Sequence, residues 1–224
     1  MSLKEKLAVT DSELGGAISR GAVKLIAVTK YASDEEIMEA YDLGLRDFGE
    51  NYIIPALERK ERLKTYFHEP ITWHLLGPIQ KNKINKAVGN FDLIQSVGSL
   101  EIAKLINERA AHLQIKQNIL LQINMTGDKS GLNPEELEIV LPQLVKLDHL
   151  HIHGLMTMGP HKSSELSETI FKQMRQLKGR LELFYPNEPL ELSMGMTNDY
   201  KLAVQNGSTM IRLGRGLFAC DALE

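Results

Sequence analysis

The chain is poor in the features that mark several classes of protein. Of its 224 residues only Cys220 is a cysteine, so no disulfide can form within the chain. The opening Met-Ser-Leu-Lys-Glu-Lys has no apolar signal-peptide core, and with the scarcity of cysteine this predicts a cytoplasmic protein. Its longest apolar runs are strand-sized, which predicts no transmembrane helix and no membrane partner. It carries no basic excess: 26 Lys and Arg stand against 29 Asp and Glu, a net charge of −3. No global positive field is present to gather nucleic acid or an anionic lipid surface. There is no Walker motif, no G-x-G-x-x-G, no low-complexity stretch and no linker. What is present is ordinary for a globular domain, with 43% hydrophobic and 25% charged residues.

Strand-like and helix-like segments alternate from Val23 onward. Eight strand candidates emerge: 23–30, 47–50, 72–76, 93–96, 118–124, 152–156, 190–193 and 210–213. The intervals carry helix signals. Ser33 and Glu36 form a capping box, followed by Ile37, Met38, Tyr41 and Leu45 at helical spacing, and Gly44 suits the helix end. Ser99 caps a second helix, and Asn133-Pro134-Glu135-Glu136 opens a third. Pro142 falls within that third pattern and is expected to kink or shorten it. The first twenty or so residues predict a helix outside the sheet. Strict β/α alternation implies parallel strands, and eight repeats imply a single (β/α)8 barrel spanning 1–224. Several candidates are only three or four residues long, so an open doubly wound sheet is the alternative.

In such a barrel, function resides at the C-terminal ends of the strands. Lys30 ends the first strand candidate, Glu50-Asn51 the second, Ser193 the seventh and Arg212-Leu213-Gly214 the eighth, while His74 lies late in the third. A lysine at a strand end is ordinarily a solvated charge. At the rim of an apolar barrel, however, desolvation is expected to lower its pKa and free the amine to condense with an aldehyde. The loops after strands seven and eight of such barrels commonly bind phosphate. Here they offer the Ser193 hydroxyl, the backbone of Gly214 and Gly216, a helix N-terminus and the Arg215 guanidinium. Gly-Arg-Gly alone is weakly specific. An amine facing a phosphate nest describes a seat for a phosphorylated aldehyde.

The segments Ala27-Val28-Thr29-Lys30, Phe48-Gly49-Glu50-Asn51-Tyr52, 73–83, Gln122-Ile123-Asn124, Lys129-Ser130-Gly131-Leu132, Gly154-Leu155-Met156-Thr157, 193–199 and 207–214 occur in that order across nearly the whole chain. Together they closely resemble the pyridoxal phosphate homeostasis protein family. The resemblance implies a barrel like the N-terminal domain of alanine racemase, with pyridoxal 5′-phosphate (PLP) held as a Schiff base on Lys30. It implies Ser193 and the backbone of Gly214 and Arg215 on the phosphate, Arg212 at the pyridine nitrogen and Asn51 beside the ring. His74 is expected to touch either the cofactor or a loop carbonyl. The resemblance further implies a monomeric carrier that stores PLP and delivers it to PLP-dependent apoenzymes, supporting vitamin B6 and amino-acid balance. Arg215 departs from the family's usual threonine, Pro78 from a common histidine, and Phe218-Ala219-Cys220-Asp221 from the usual Phe-Gly tail.

A guanidinium at the pyridine nitrogen disfavours its protonation and makes the ring a weak electron sink. Racemases with that arrangement need bases on both faces of the substrate, one from a second domain that this length leaves no room to build. Cofactor binding without efficient chemistry is therefore expected. Two rivals are a PLP-dependent amino-acid racemase and a cofactor-free Schiff-base aldolase, both acting through Lys30. His149, His151 and His153 alternate and would share one strand face, but at the end of the barrel away from the site, where half-exposed histidines are commoner than metal ligands. Lys81, Lys83 and Lys86 read as a solvated face. Cys220 has no base near it in sequence and reads as an idle thiol.

Overall fold

The computed structural model describes residues 1–127, 130–160 and 164–218. Lys129 and the segment from Ala219 onward, including Cys220, lie outside the described residues. Eight parallel strands close into a barrel in sequence order. They are β1 (Lys24–Val28), β2 (Asp47–Glu50), β3 (Thr72–Leu75), β4 (Leu93–Val97), β5 (Gln117–Gln122), β6 (Leu150–Met156), β7 (Glu191–Ser193) and β8 (Met210–Leu213). Pairing of Lys24 with Met210 and of Ala27 with Leu213 joins β1 to β8 and closes the ring. Every strand expected from the alternation exists, with ends displaced by at most two residues, and the open-sheet alternative falls with the closure.

The helices are α1 (Leu3–Glu13), α2 (Asp34–Asp42), α3 (Ile53–Leu63), α4 (Ile84–Ala87), α5 (Leu100–His112), α6 (Pro134–Leu144), α7 (Ser164–Glu182) and α8 (Tyr200–Gln205). The Ser33 hydroxyl accepts from the Glu36 N–H at 3.2 Å while the Glu36 carboxylate accepts from the Ser33 N–H at 2.8 Å, so the box closes as expected. Gly44 ends that helix at φ +95°. Pro142 does not break α6, which runs two residues further and ends at Leu144. A proline in the last turn removes one backbone donor where the ladder is ending anyway. Among the described residues no helix is long and apolar enough to cross a membrane.

Strand alternation sorts side chains into two layers. Outward residues such as Phe48, Trp73, Ile94, Leu192 and Ile211 pack beneath the helices. Inward, Ile26, Leu93, Leu120, Met156 and Met210 form a small separate apolar cluster. The same inward set includes His74, Gln95, Ser193 and Arg212, all 3% exposed or less, so the barrel centre is unusually polar. Where β6 meets β7 only glycine fits. A Cβ on Gly154 would lie 1.9 Å from the Glu191 carbonyl oxygen, and its φ is +145°.

The histidine alternation is interrupted. His149 precedes β6, and the β5–β6 register steps from Ile119 opposite Ile152 to Leu120 opposite Gly154, leaving His153 as the extra residue of a bulge. The His151 and His153 rings still approach, at 4.1 Å between centroids. His149 instead lies against the Ile115 carbonyl.

Candidate cofactor site

A cavity of about 980 Å³ opens at the C-terminal end of the barrel. Its lining brings together Lys30 and Asn51, from just beyond β1 and β2, with Arg212 on β8 and Gly214 and Arg215 after it. These are five of the seven residues that the sequence singles out. Ser193 and His74 are set apart from it.

Lys30 stands two residues beyond the end of β1, half-buried rather than enclosed. Its Nζ lies 4.6 Å from the Tyr31 ring centroid and 5.7 Å from that of Tyr52. The expectation of a lowered pKa is not met. The Tyr31 hydroxyl interaction raises it, the small desolvation works against this, and the electrostatic interaction with Tyr31 and Tyr52 adds to the rise. The physical reason is position: a side chain in a turn above the strand keeps most of its water and finds phenols instead of aliphatic walls.

The turn that carries Lys30 is held from outside the cavity. Arg59 on α3 donates to the Thr29 carbonyl at 3.1 Å and the Ala32 carbonyl at 2.9 Å, on either side of Lys30. The same guanidinium pairs with the buried Glu50 at 2.6 Å and with Asp34 at 3.1 Å. Sequence reading passes over Arg59, because a charged residue within a helix reads as a solvated one. Its only signal is Glu50, an acid inside a strand with no partner nearby in sequence.

The Arg212 guanidinium is buried and donates to the Ser193 hydroxyl at 2.6 Å and the Thr157 carbonyl at 2.8 Å. Burial pulls its pKa down to about 10, with Asp199 acting in the opposite sense, so it is a cation at neutral pH. Ser193 faces inward, because β7 alternation turns it toward the barrel axis. Its hydroxyl donates to Gln95 Oε1 at 2.7 Å. Engaged on both sides, it is not part of the cavity wall. Thr197, four residues on, lines the cavity instead. Gly216 makes room for it: a Cβ there would lie 3.0 Å from the Thr197 methyl. Beside it, the Leu217 and Phe218 N–H groups both donate to the Gly214 carbonyl at 2.9 Å, closing a tight turn that presents glycine to the cavity. His74 reaches neither cavity nor loop carbonyl. Its Nε2 bonds Asp47 Oδ1 at 2.9 Å and its Nδ1 faces Gln95 Nε2 at 3.0 Å.

Tyr200, also in the cavity lining, is held by Glu13, and burial with that carboxylate pushes its pKa up to about 12. Glu13 also takes Lys201 at 2.6 Å, tying α1 to the cavity rim.

One polar atom in the site is unsatisfied. Asn51 Oδ1 is buried and, among the described residues, has no hydrogen-bond partner. A buried acceptor without a donor is costly, and a donor on an occupant of the cavity would relieve it. With the amine of Lys30, the glycine turn, and cationic Arg212 and Arg215, it fits an anionic, phosphorylated aldehyde that carries a hydroxyl.

The sequence likenesses point the same way. A model of the alanine racemase N-terminal domain family matches residues 12–221. A pyridoxal phosphate homeostasis protein of Pasteurella multocida is 35% identical, over 97% of each chain. The chain belongs to the pyridoxal phosphate homeostasis protein family. A member from a Synechocystis species is 42% identical over 88% of this chain and 91% of its own. Among solved structures, PipY of Synechococcus elongatus with PLP bound superposes at a TM-score of 0.88 with 38% identity, covering 97% of this chain and 100% of that one. Clostridium difficile alanine racemase shares the fold at a TM-score of 0.77 and 17% identity, and this chain covers 58% of it. Members of the pyridoxal phosphate homeostasis protein family thus match this barrel along almost their full length.

Proposed function

We propose that this protein binds PLP in the cavity at the C-terminal end of its barrel and carries it on Lys30 as a Schiff base. In this reading it is a carrier, monomeric and cytoplasmic, that buffers the free aldehyde and passes it to PLP-dependent apoenzymes, thereby supporting vitamin B6 and amino-acid homeostasis. One observation carries the reading: a lysine amine, an unsatisfied Asn51 acceptor and a glycine turn share one cavity in a chain so similar to PLP-bound PipY. When bound, PLP supplies an aldehyde for the amine and a pyridine ring that can withdraw electrons.

The residues of this chain do the rest. Lys30 must give up its proton to solvent before it can condense, a step that expels one water. In this reading Gly214, Arg215 and Thr197 would receive the phosphate, and Asn51 Oδ1 would accept from a hydroxyl on the ring. Arg212 would set a positive charge near the ring nitrogen and so limit its protonation and its strength as an electron sink. Tyr200, at a pKa of about 12 and hydrogen-bonded to Glu13, is a poor proton acceptor at neutral pH. In this reading both features weaken turnover.

The test is the visible spectrum of the purified protein before and after borohydride, with peptide mapping by mass. A yellow protein whose reduced pyridoxyl phosphate maps to Lys30 supports the proposal, and Lys30→Ala removes the label. A colourless protein that PLP cannot reconstitute overturns it and favours a cofactor-free aldolase. Exchange of the Cα proton of added amino acids for deuterium would instead make the protein a racemase.

A further inference from the structure

The polar residues inside the barrel form one chain. Arg212 Nη1 bonds Ser193 Oγ at 2.6 Å, Ser193 Oγ bonds Gln95 Oε1 at 2.7 Å, Gln95 Nε2 bonds His74 Nδ1 at 3.0 Å, and His74 Nε2 bonds Asp47 Oδ1 at 2.9 Å. It crosses the barrel from the cavity floor to the start of β2, drawing one residue each from β8, β7, β4, β3 and β2. A guanidinium can only donate, so Ser193 accepts from Arg212. With the Gln95 amide as oriented, its Oε1 accepts from the Ser193 hydroxyl and its NH2 faces His74 Nδ1, and the chain ends on a carboxylate that can only accept. The chain thus joins a cation to an acid through bonds that polarise one another. Gln95 is fully buried, and its amide also contacts Met210 Sδ at 3.9 Å.

Resting on the proposal that Arg212 faces the pyridine ring, we infer that Gln95 and His74 are positioning residues: with Asp47 as anchor, they fix through Ser193 the orientation of the Arg212 guanidinium beneath the cofactor. Arg212 has two further contacts of its own, the Thr157 carbonyl and Met158 Sδ at 3.6 Å, both through Nη2. Among the described residues only the Ser193 bond holds Nη1, so the chain governs rotation of the guanidinium about the Nη2 side. Neither Gln95 nor His74 lines the cavity, and so neither would contact PLP.

The experiment uses the full chain reconstituted with PLP. Wild type is measured first; failure to take up PLP there counts against the proposed function and not against this inference. Gln95→Leu, His74→Phe and the double variant are then compared for thermal stability, PLP dissociation constant and the absorption maximum of the bound cofactor. The expected result is about tenfold weaker PLP binding for each single variant, with a displaced absorption band, as for loss of one buried hydrogen bond acting on a charged group. The double variant should be no worse than either single, because a chain cut once is already cut. Folded variants that keep wild-type affinity and band position, or a double variant whose losses add, would overturn the inference. Should the buried variants fail to fold, Asp47→Asn decides. It sits at the accessible end, keeps the shape of the side chain and removes only the anchoring charge. A band displaced in Asp47→Asn supports the chain, and an unchanged band refutes it.

Discussion

An amine condenses with an aldehyde only when unprotonated, and the tyrosines around Lys30 raise its pKa. Below its raised pKa the reactive fraction rises about tenfold per pH unit. The rate of PLP incorporation should therefore climb through neutral pH into the alkaline range, with no plateau near pH 7. Tyr31→Phe removes the largest cause of the rise, so its rate profile should shift toward lower pH, and incorporation at neutral pH should quicken. Absorbance-monitored mixing across a pH series checks both. At the cavity floor, Arg212→Met leaves the Thr157 carbonyl and the Ser193 hydroxyl without their donor. A loss of about 1–3 kcal/mol in urea unfolding is expected. The same change should make the bound ring nitrogen easier to protonate, visible as a pH-dependent band that wild type lacks.

At the scale of elements, the site depends on contacts that lie outside it. Arg59 clips α3 to β2 and to the turn after β1, through four acceptors around one planar fork. A lysine there has the charge but not the fork. Arg59→Lys should therefore reduce PLP retention more than it reduces stability. Arg59→Leu strands the Glu50 carboxylate, 2% exposed, and should cost about 3–5 kcal/mol. Equilibrium unfolding beside PLP occupancy after gel filtration separates the two effects. Strand geometry is equally strict at β6, where Gly154→Ala would drive a methyl into the Glu191 carbonyl at a backbone angle that side chains avoid. A destabilisation of about 2–5 kcal/mol by urea titration is expected.

Over the whole molecule, acid should weaken the fold in two windows. Burial, helped by His151, lowers the pKa of His153, so the folded state favours the neutral ring. A depressed folded-state pKa contributes stability that is complete above the ordinary histidine value and is lost as pH falls through the folded one. That window lies below about pH 6.5. Asp34, lowered by its bonds to Arg62 and then Arg59, behaves the same way further down. Its contribution is present above the usual carboxylate range and disappears as pH falls through its depressed value. Thermal midpoints at pH 8, 6, 5 and 3 should therefore fall in two steps, and His153→Phe should remove the first.

Alternation of apolar runs with capped helices determined the barrel, because burial periodicity and helix caps are local properties written in consecutive residues. The residues gathered at its mouth were legible for the same reason: Lys30, Asn51, Arg212, Gly214 and Arg215 all stand at strand ends, and parallel closure brings strand ends together. Tertiary structure alone decided which inward side chains meet. Ser193 and His74 stand late in their strands like the others, yet they join Gln95 in the barrel centre, because the register between strands sets how deep each lies. It also decided the state of Lys30, whose phenol neighbours Tyr31 and Tyr52 outweigh its modest burial. And it made Arg59, unremarked on a helix, the clip that holds the lysine's turn, since that bond spans elements that the sequence keeps apart.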